Sequence, residues 1–165
     1  MFFVYLYRTV NNMTTKNRKT MKKVLLSALA MAMIAVTPTM AENVAITAQK
    51  LPGAAQKFLK AHFAKNQVVS AMHDRYITDN DYTVILDDGT KIEFDARGEW
   101  ESVKSRTGKM PASVVPAKIQ DYVTNHYPTL GIEKIEHKRY GYEVELTNDL
   151  DLKFDSNGRF VGIDD

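Results

Sequence analysis

The stretch KIEFDARGEW, which begins at Lys91, returns sixty residues later as DLKFDSNGRF, from Asp151. Aligned without a gap from Tyr82 to Val103 and from Tyr142 to Ile163, the two segments span 22 positions and share six identities. These are Tyr82/Tyr142, Val84/Val144, Leu86/Leu146, Phe94/Phe154, Asp95/Asp155 and Gly98/Gly158. Chance pairing at average composition gives about one. Such a period marks one supersecondary unit used twice.

The correspondence extends upstream at an offset of 64. PGAAQKFLKAHF from Pro52 matches PAKIQDYVTNHY from Pro116, and HDRY from His73 matches HKRY from His137. The two offsets differ by four residues between Tyr76 and Tyr82, where the first copy reads ITDND and the second a single Gly141. A polar turn is where an insertion leaves a core undisturbed.

Each unit then reads from its period. Pro52 suits a first helical turn, and Ala55, Phe58, Leu59, His62 and Phe63 form a stripe at helical spacing. Pro116 opens the second helix, Ile119, Tyr122, Val123, His126 and Tyr127 repeat the stripe, and Pro128 stops it. A first strand is predicted near Val68–Arg75 and again near Ile132–Arg139. Alternating strands follow through Tyr82, Val84 and Leu86 and through Tyr142, Val144 and Leu146, with turns at DDG (87–89) and TND (147–149). The third strands set Ile92 and Phe94, or Leu152 and Phe154, on one face. Asp-x-x-Gly then closes a hairpin: the carboxylate accepts backbone N–H groups, the glycine takes φ > 0, and aromatic residues on either side pair across the strands. The predicted class is α+β, a tandem repeat of one helix plus a four-stranded antiparallel meander. About 60 residues carry too little core alone, so the two units are expected to join in one sheet.

The N-terminus stands apart. From Met21, two lysines precede an apolar run from Val24 to Val36, and Thr39-Met40-Ala41 offers a small-x-small cleavage site. That order is a secretory signal, and the run is short for a bilayer; the competing reading is a buried core helix. The organisation expected is therefore 1–20 an upstream extension or misassigned start, 21–41 the signal peptide, 42–106 the first unit and 107–165 the second. Six of the 22 basic residues and none of the 20 acidic ones precede the cut, so the mature chain carries a net charge of −4. A positive field for nucleic acid or anionic membrane is not indicated. There is no cysteine, hence neither a disulfide staple nor a lipid-attachment residue. The expected product is a monomer, periplasmic or secreted, with no membrane contact after cleavage.

Assembled, the helices LPGAAQKFLKAHF and VPAKIQDYVTNHYP and the meanders YTVILDDGTKIEFDARGEW and YEVELTNDLDLKFDSNGRF resemble the PepSY-like family of small exported bacterial proteins, whose fold is similar to the beta-lactamase inhibitor protein. The resemblance covers Leu51 to Asp165. It implies one extended curved sheet with helices on one face and the other face open, and inhibition of an exported hydrolase as the function. It supplies no catalytic residue, and the inhibitor protein's disulfides have no counterpart here.

Few residues carry chemistry of their own. His62 and His126 correspond, as do His73 and His137, yet no H-x-x-x-H or C-x-x-C groups them; the first pair reads as core or rim, and the second could meet where strands adjoin. Asp79, Asp81, Asp87 and Asp88, and Asp149, Asp151 and Asp155, do not fit calcium-loop spacing and read as turn residues. No motif supplies an activated nucleophile or phosphate cradle. No cofactor or metal is expected, and the chain reads as a non-enzyme. Function is expected on the open face, where Thr83, Ile85, Lys91, Glu93, Glu143, Glu145 and Lys153 project towards an unidentified protein partner. Trp100 has two readings, core through cross-strand pairing with Phe94, or a binding anchor exposed by a bulge. The alternatives are a small-ligand or peptide carrier with a site between helices and sheet or at the joint between units, and an open face that is merely soluble sheet.

Overall fold

The computed structural model describes residues 42–75 and 80–164. The expected signal peptide and upstream stretch, and the start of the inserted turn with Asp79, lie outside the described residues. The described elements run β1 (Glu42–Ala45), a 3-10 turn (Ala48–Lys50), α1 (Gly53–His62), β2 (Val68–Arg75), β3 (Asn80–Leu86), β4 (Lys91–Phe94), β5 (Trp100–Lys104), α2 (Ala117–His126), β6 (Ile132–Lys138), β7 (Gly141–Leu146), β8 (Asp151–Asp155) and β9 (Phe160–Asp164). The nine strands form a single open antiparallel sheet in chain order.

Local chemistry explains the elements. Pro52 and Pro116 cap the two helices from extended backbone, one position earlier than the sequence placed them. Ala55 of α1 and Ile119 and Val123 of α2 are buried, so each helix spends its apolar stripe on the sheet. At the Asp-x-x-Gly turns, Asp95 Oδ1 accepts from the N–H groups of Arg97 and Glu99 at 2.9 and 2.8 Å. Asp155 Oδ1 accepts from Asn157 and Arg159, both at 2.9 Å. Gly98 and Gly158 take φ of 84° and 74°, as that turn requires. Asp149, in the TND turn, adopts φ 62° where the DDG turn has Gly89 at 82°. Aspartate is among the few side-chain-bearing residues that enter this region readily.

One cross-strand row makes the core. Ala71, Val84, Ile92, Val103, Ile135, Val144 and Leu152 are register partners in succession from β2 to β8, and all are buried. Each large member contributes on the order of 2 kcal/mol by leaving water. Phe94 and Phe154 lie on the same side, met edge-on by Phe58 of α1 and Tyr122 of α2.

The registers run parallel in the two segments. Tyr82 faces Phe94 as Tyr142 faces Phe154, and Phe94 faces Trp100 as Phe154 faces Phe160. In each last hairpin the register shifts by one residue, with a bulge at Glu101 or Val161. The segments join where Ser102, Val103 and Lys104 of β5 meet Glu136, Ile135 and Lys134 of β6. β1, which the sequence reading omitted, lies on β2 with Ala45 opposite Met72.

Candidate binding face

The side chains that alternate with the core row form two rows of their own. The first links Thr83, Glu93, Ser102, Glu136, Glu143 and Lys153 across β3 to β8. The second links Ile85, Lys91, Lys104, Lys134, Glu145 and Asp151. All seven open-face residues expected from the sequence fall in these rows, and none of the seven is buried. β5 and β6 insert Ser102, Lys104, Lys134 and Glu136 between the two groups, residues the sequence reading did not name. Alternation through IEKIEHK was the signal for Lys134 and Glu136.

The face is a lattice of opposite charges. Lys104 Nζ lies 3.2 Å from Glu133 Oε1 and 3.3 Å from Glu145 Oε1, tying β5 to β6 and β7. Hydrogen bonds to these carboxylates hold the Lys104 ammonium above its ordinary range. Glu136 sits between Lys134 and Lys138, at 3.0 and 2.9 Å. Burial pushes its carboxyl up, but hydrogen bonds from Lys138 and Lys134 outweigh this and leave it below the usual value. Tyr140 donates to Glu143 Oε2 at 2.7 Å, and partial burial and that bond push the phenol up to about 12. Asp151 moves the other way from Glu136: burial, then Glu145 and Glu143, hold its carboxyl above the ordinary range. Exposed pairs of this kind contribute about 0–1 kcal/mol each, so their larger effect is to fix positions of charge.

Trp100 does not share this face. Its indole stacks on Phe58 of α1 at 5.9 Å and on His137 and Tyr142 at 5.7 and 6.4 Å. The bulge at Glu101 lets Trp100 oppose Phe94 on the helix side.

The histidines are dispersed. His73 is on β2 and His137 on β6, with three strands between them, so the meeting that the sequence allowed does not occur. His73 stacks instead on Tyr82 at 4.3 Å. His62 contacts Phe58, and His126 bonds to the Tyr122 carbonyl from the exposed end of α2. Among the described residues, no three His, Asp or Glu side chains are grouped as a metal would need. Asp87, Asp95 and Asp155 serve turns or turn-closing bonds. A cavity of about 410 Å³ opens between Ala45–Gln49 and Val68–Ala71, at the β1 end of the sheet. No described helix is long and apolar enough to cross a membrane.

Residues 80–162 match the family described as "Putative beta-lactamase-inhibitor-like, PepSY-like". A solved structure from Bacteroides thetaiotaomicron, described as a "putative calcium-regulated periplasmic protein", is 37% identical with a TM-score of 0.70, over 74% of this chain and 97% of that one. A solved structure from Bacteroides vulgatus, described as a "putative periplasmic protein" of the DUF2874 family, is also 37% identical, with a TM-score of 0.68 over 75% and 98%. Another from Bacteroides vulgatus, described as a "putative periplasmic protein of unknown function", is 31% identical, with a TM-score of 0.70 over 75% and 100%. No curated protein matches the chain.

Proposed function

The chain belongs to the PepSY-like family, and from that premise we propose that it is an exported, non-enzymatic binding module built from two copies of one helix-and-meander unit. It holds a protein partner on the uncovered sheet face. The observation that carries this reading is the contrast between the two sides of one sheet. The core row is closed to solvent from β2 to β8, while the opposite rows keep their charges at the surface and fixed by neighbours. A rigid array of placed charges selects a complementary protein surface and disfavours others. Export to the periplasm is supported by the signal-like order of residues 21–41 and by the periplasmic descriptions of the relatives. The family description makes an exported hydrolase, beta-lactamases included, the first partner class to try.

The experiment is a panel of purified exported hydrolases assayed for binding and inhibition. The double reversal Glu143→Lys, Glu145→Lys is expected to abolish a positive response while unfolding free energy moves by no more than about 1 kcal/mol. Equal binding by the reversed protein would sink this use of the face.

A second reading, a small-ligand or peptide carrier, is favoured by the cavity beside Ala45–Gln49, whose 410 Å³ matches the size of small-molecule sites. It would show as a ligand-dependent rise in melting temperature lost on Ala71→Phe, which fills the cavity wall.

A further inference from the structure

We infer that β9 is a docking edge for an extended strand of a partner protein, one that presents a basic residue, an apolar residue and, two positions on, an aromatic or imidazole ring.

The inference starts from the sheet's two ends. Among the described residues, β2 is covered by β1, whereas β9 pairs with β8 alone. Edge strands are usually blunted with lysines, prolines or a covering element. β9 reads FVGID, and Val161, Ile163 and Phe160 are 66%, 48% and 36% exposed. The bulge at Val161 is no barrier, because β5 has the same bulge at Glu101 and still accepts β6 through its last three residues.

That β5–β6 joint shows what fits. Phe160 stands against β8 as Trp100 stands against β4, Ile163 as Val103, and Asp164 as Lys104. On β5, Val103 meets Ile135, Lys104 meets Lys134, and Trp100 stacks on His137. The aromatic run His62, Phe58, Trp100, His137 therefore crosses the joint. Its counterpart, His126, Tyr122, Phe160, stops at the β9 edge. A ring on an incoming strand would continue it.

Charge selects the occupant. At the β9 end, the second open-face row closes with Glu145, Asp151 and Asp164 in successive register, and Lys153 is the cation bonded to Asp164. Asp164 replaces Lys104, so the complementary strand carries a basic residue there. A second copy pairing antiparallel through β9 would set Asp164 beside the Phe160 end of FVGID, which has no basic residue, and so would not supply the complement this edge selects. This inference uses the edge and not the open face, and stands apart from the function proposed above.

The probe is a synthetic peptide with this chain's own β6 sequence, residues 131–140 (GIEKIEHKRY), titrated into the isotope-labelled protein by NMR. Amide shifts confined to β8 and β9 with saturation below about 1 mM are expected, and Lys134→Glu in the peptide should weaken binding about 10-fold. Asp164→Lys in the protein should reverse that preference, favouring the Lys134→Glu peptide. Absence of shifts at 1 mM, shifts centred on Thr83 or Glu143, or an unchanged preference with Asp164→Lys would each overturn the inference. So would β9 shifts that track protein concentration without peptide, since they would make a second copy the occupant.

Discussion

The Trp100 indole lies over the His137 imidazole with ring centroids 5.7 Å apart and planes 28° from parallel, bridging β5 and β6. With the Trp100–Tyr142 stacking it carries aromatic contact across the seam between the two segments, and Phe58 backs the indole from α1. Removing the indole leaves Phe58, His137 and Tyr142 without their common neighbour. Trp100→Ala is expected to cost about 3 kcal/mol in urea unfolding. Phe160→Ala, at the corresponding but edge-exposed position, should cost about 1 kcal/mol. Equal losses would contradict the assignment of Trp100 to the seam.

The two turn glycines should respond unequally to substitution. A Cβ on Gly98 would lie 2.6 Å from Pro52 Cβ and 3.0 Å from the Ala55 nitrogen; on Gly158 it would meet Lys118 Cβ at 3.3 Å. Both also suffer from positive φ. Gly158→Ala should therefore cost about 1 kcal/mol and Gly98→Ala about 2–3 kcal/mol, measured by thermal unfolding.

Glu136 and Asp151 give opposite pH dependences. The Glu136 carboxyl is held below its ordinary value, so its stabilisation is complete above the unfolded value of 4.5 and is lost as pH falls through the lower folded value. Glu136→Gln should thus melt lower than wild type at pH 7 and converge with it in acid.

Asp151 is held above its ordinary 3.8, so the folded state is favoured below that value and loses this advantage as pH rises through the elevated folded value. Asp151→Asn should melt higher than wild type at pH 7, with the gain disappearing in acid. A gain that persists at low pH would show that neither burial of the Asp151 charge nor its neighbours Glu145 and Glu143 are its origin.

Much of this architecture was legible because turns and periods write themselves locally. Pro52 and Pro116, the alternation around Val84 and Val144, and Asp-x-x-Gly at Asp95 and Asp155 each specify an element from neighbouring residues alone. β1 was not legible: ENVA is four residues with no strand period, and it is a strand because β2 offers an edge. The seven open-face residues were readable from alternation, but the Lys104 ion pairs with Glu133 and Glu145 depend on β5 meeting β6, a long-range register. Trp100 stayed ambiguous for the same reason, since whether a bulge turns it inward depends on what lies across the seam. His73 and His137 look like partners in sequence because HDRY and HKRY match, yet β3, β4 and β5 separate the strands that carry them.

The most direct test of the proposed binding face is site-specific photo-cross-linking in cells that express the protein. A benzophenone amino acid at Thr83, Glu93 or Glu143 is expected to yield one discrete protein adduct, while the same group at Lys57 or Lys118, on the helices, yields none. Adducts from the helix positions with a silent sheet face would contradict the account.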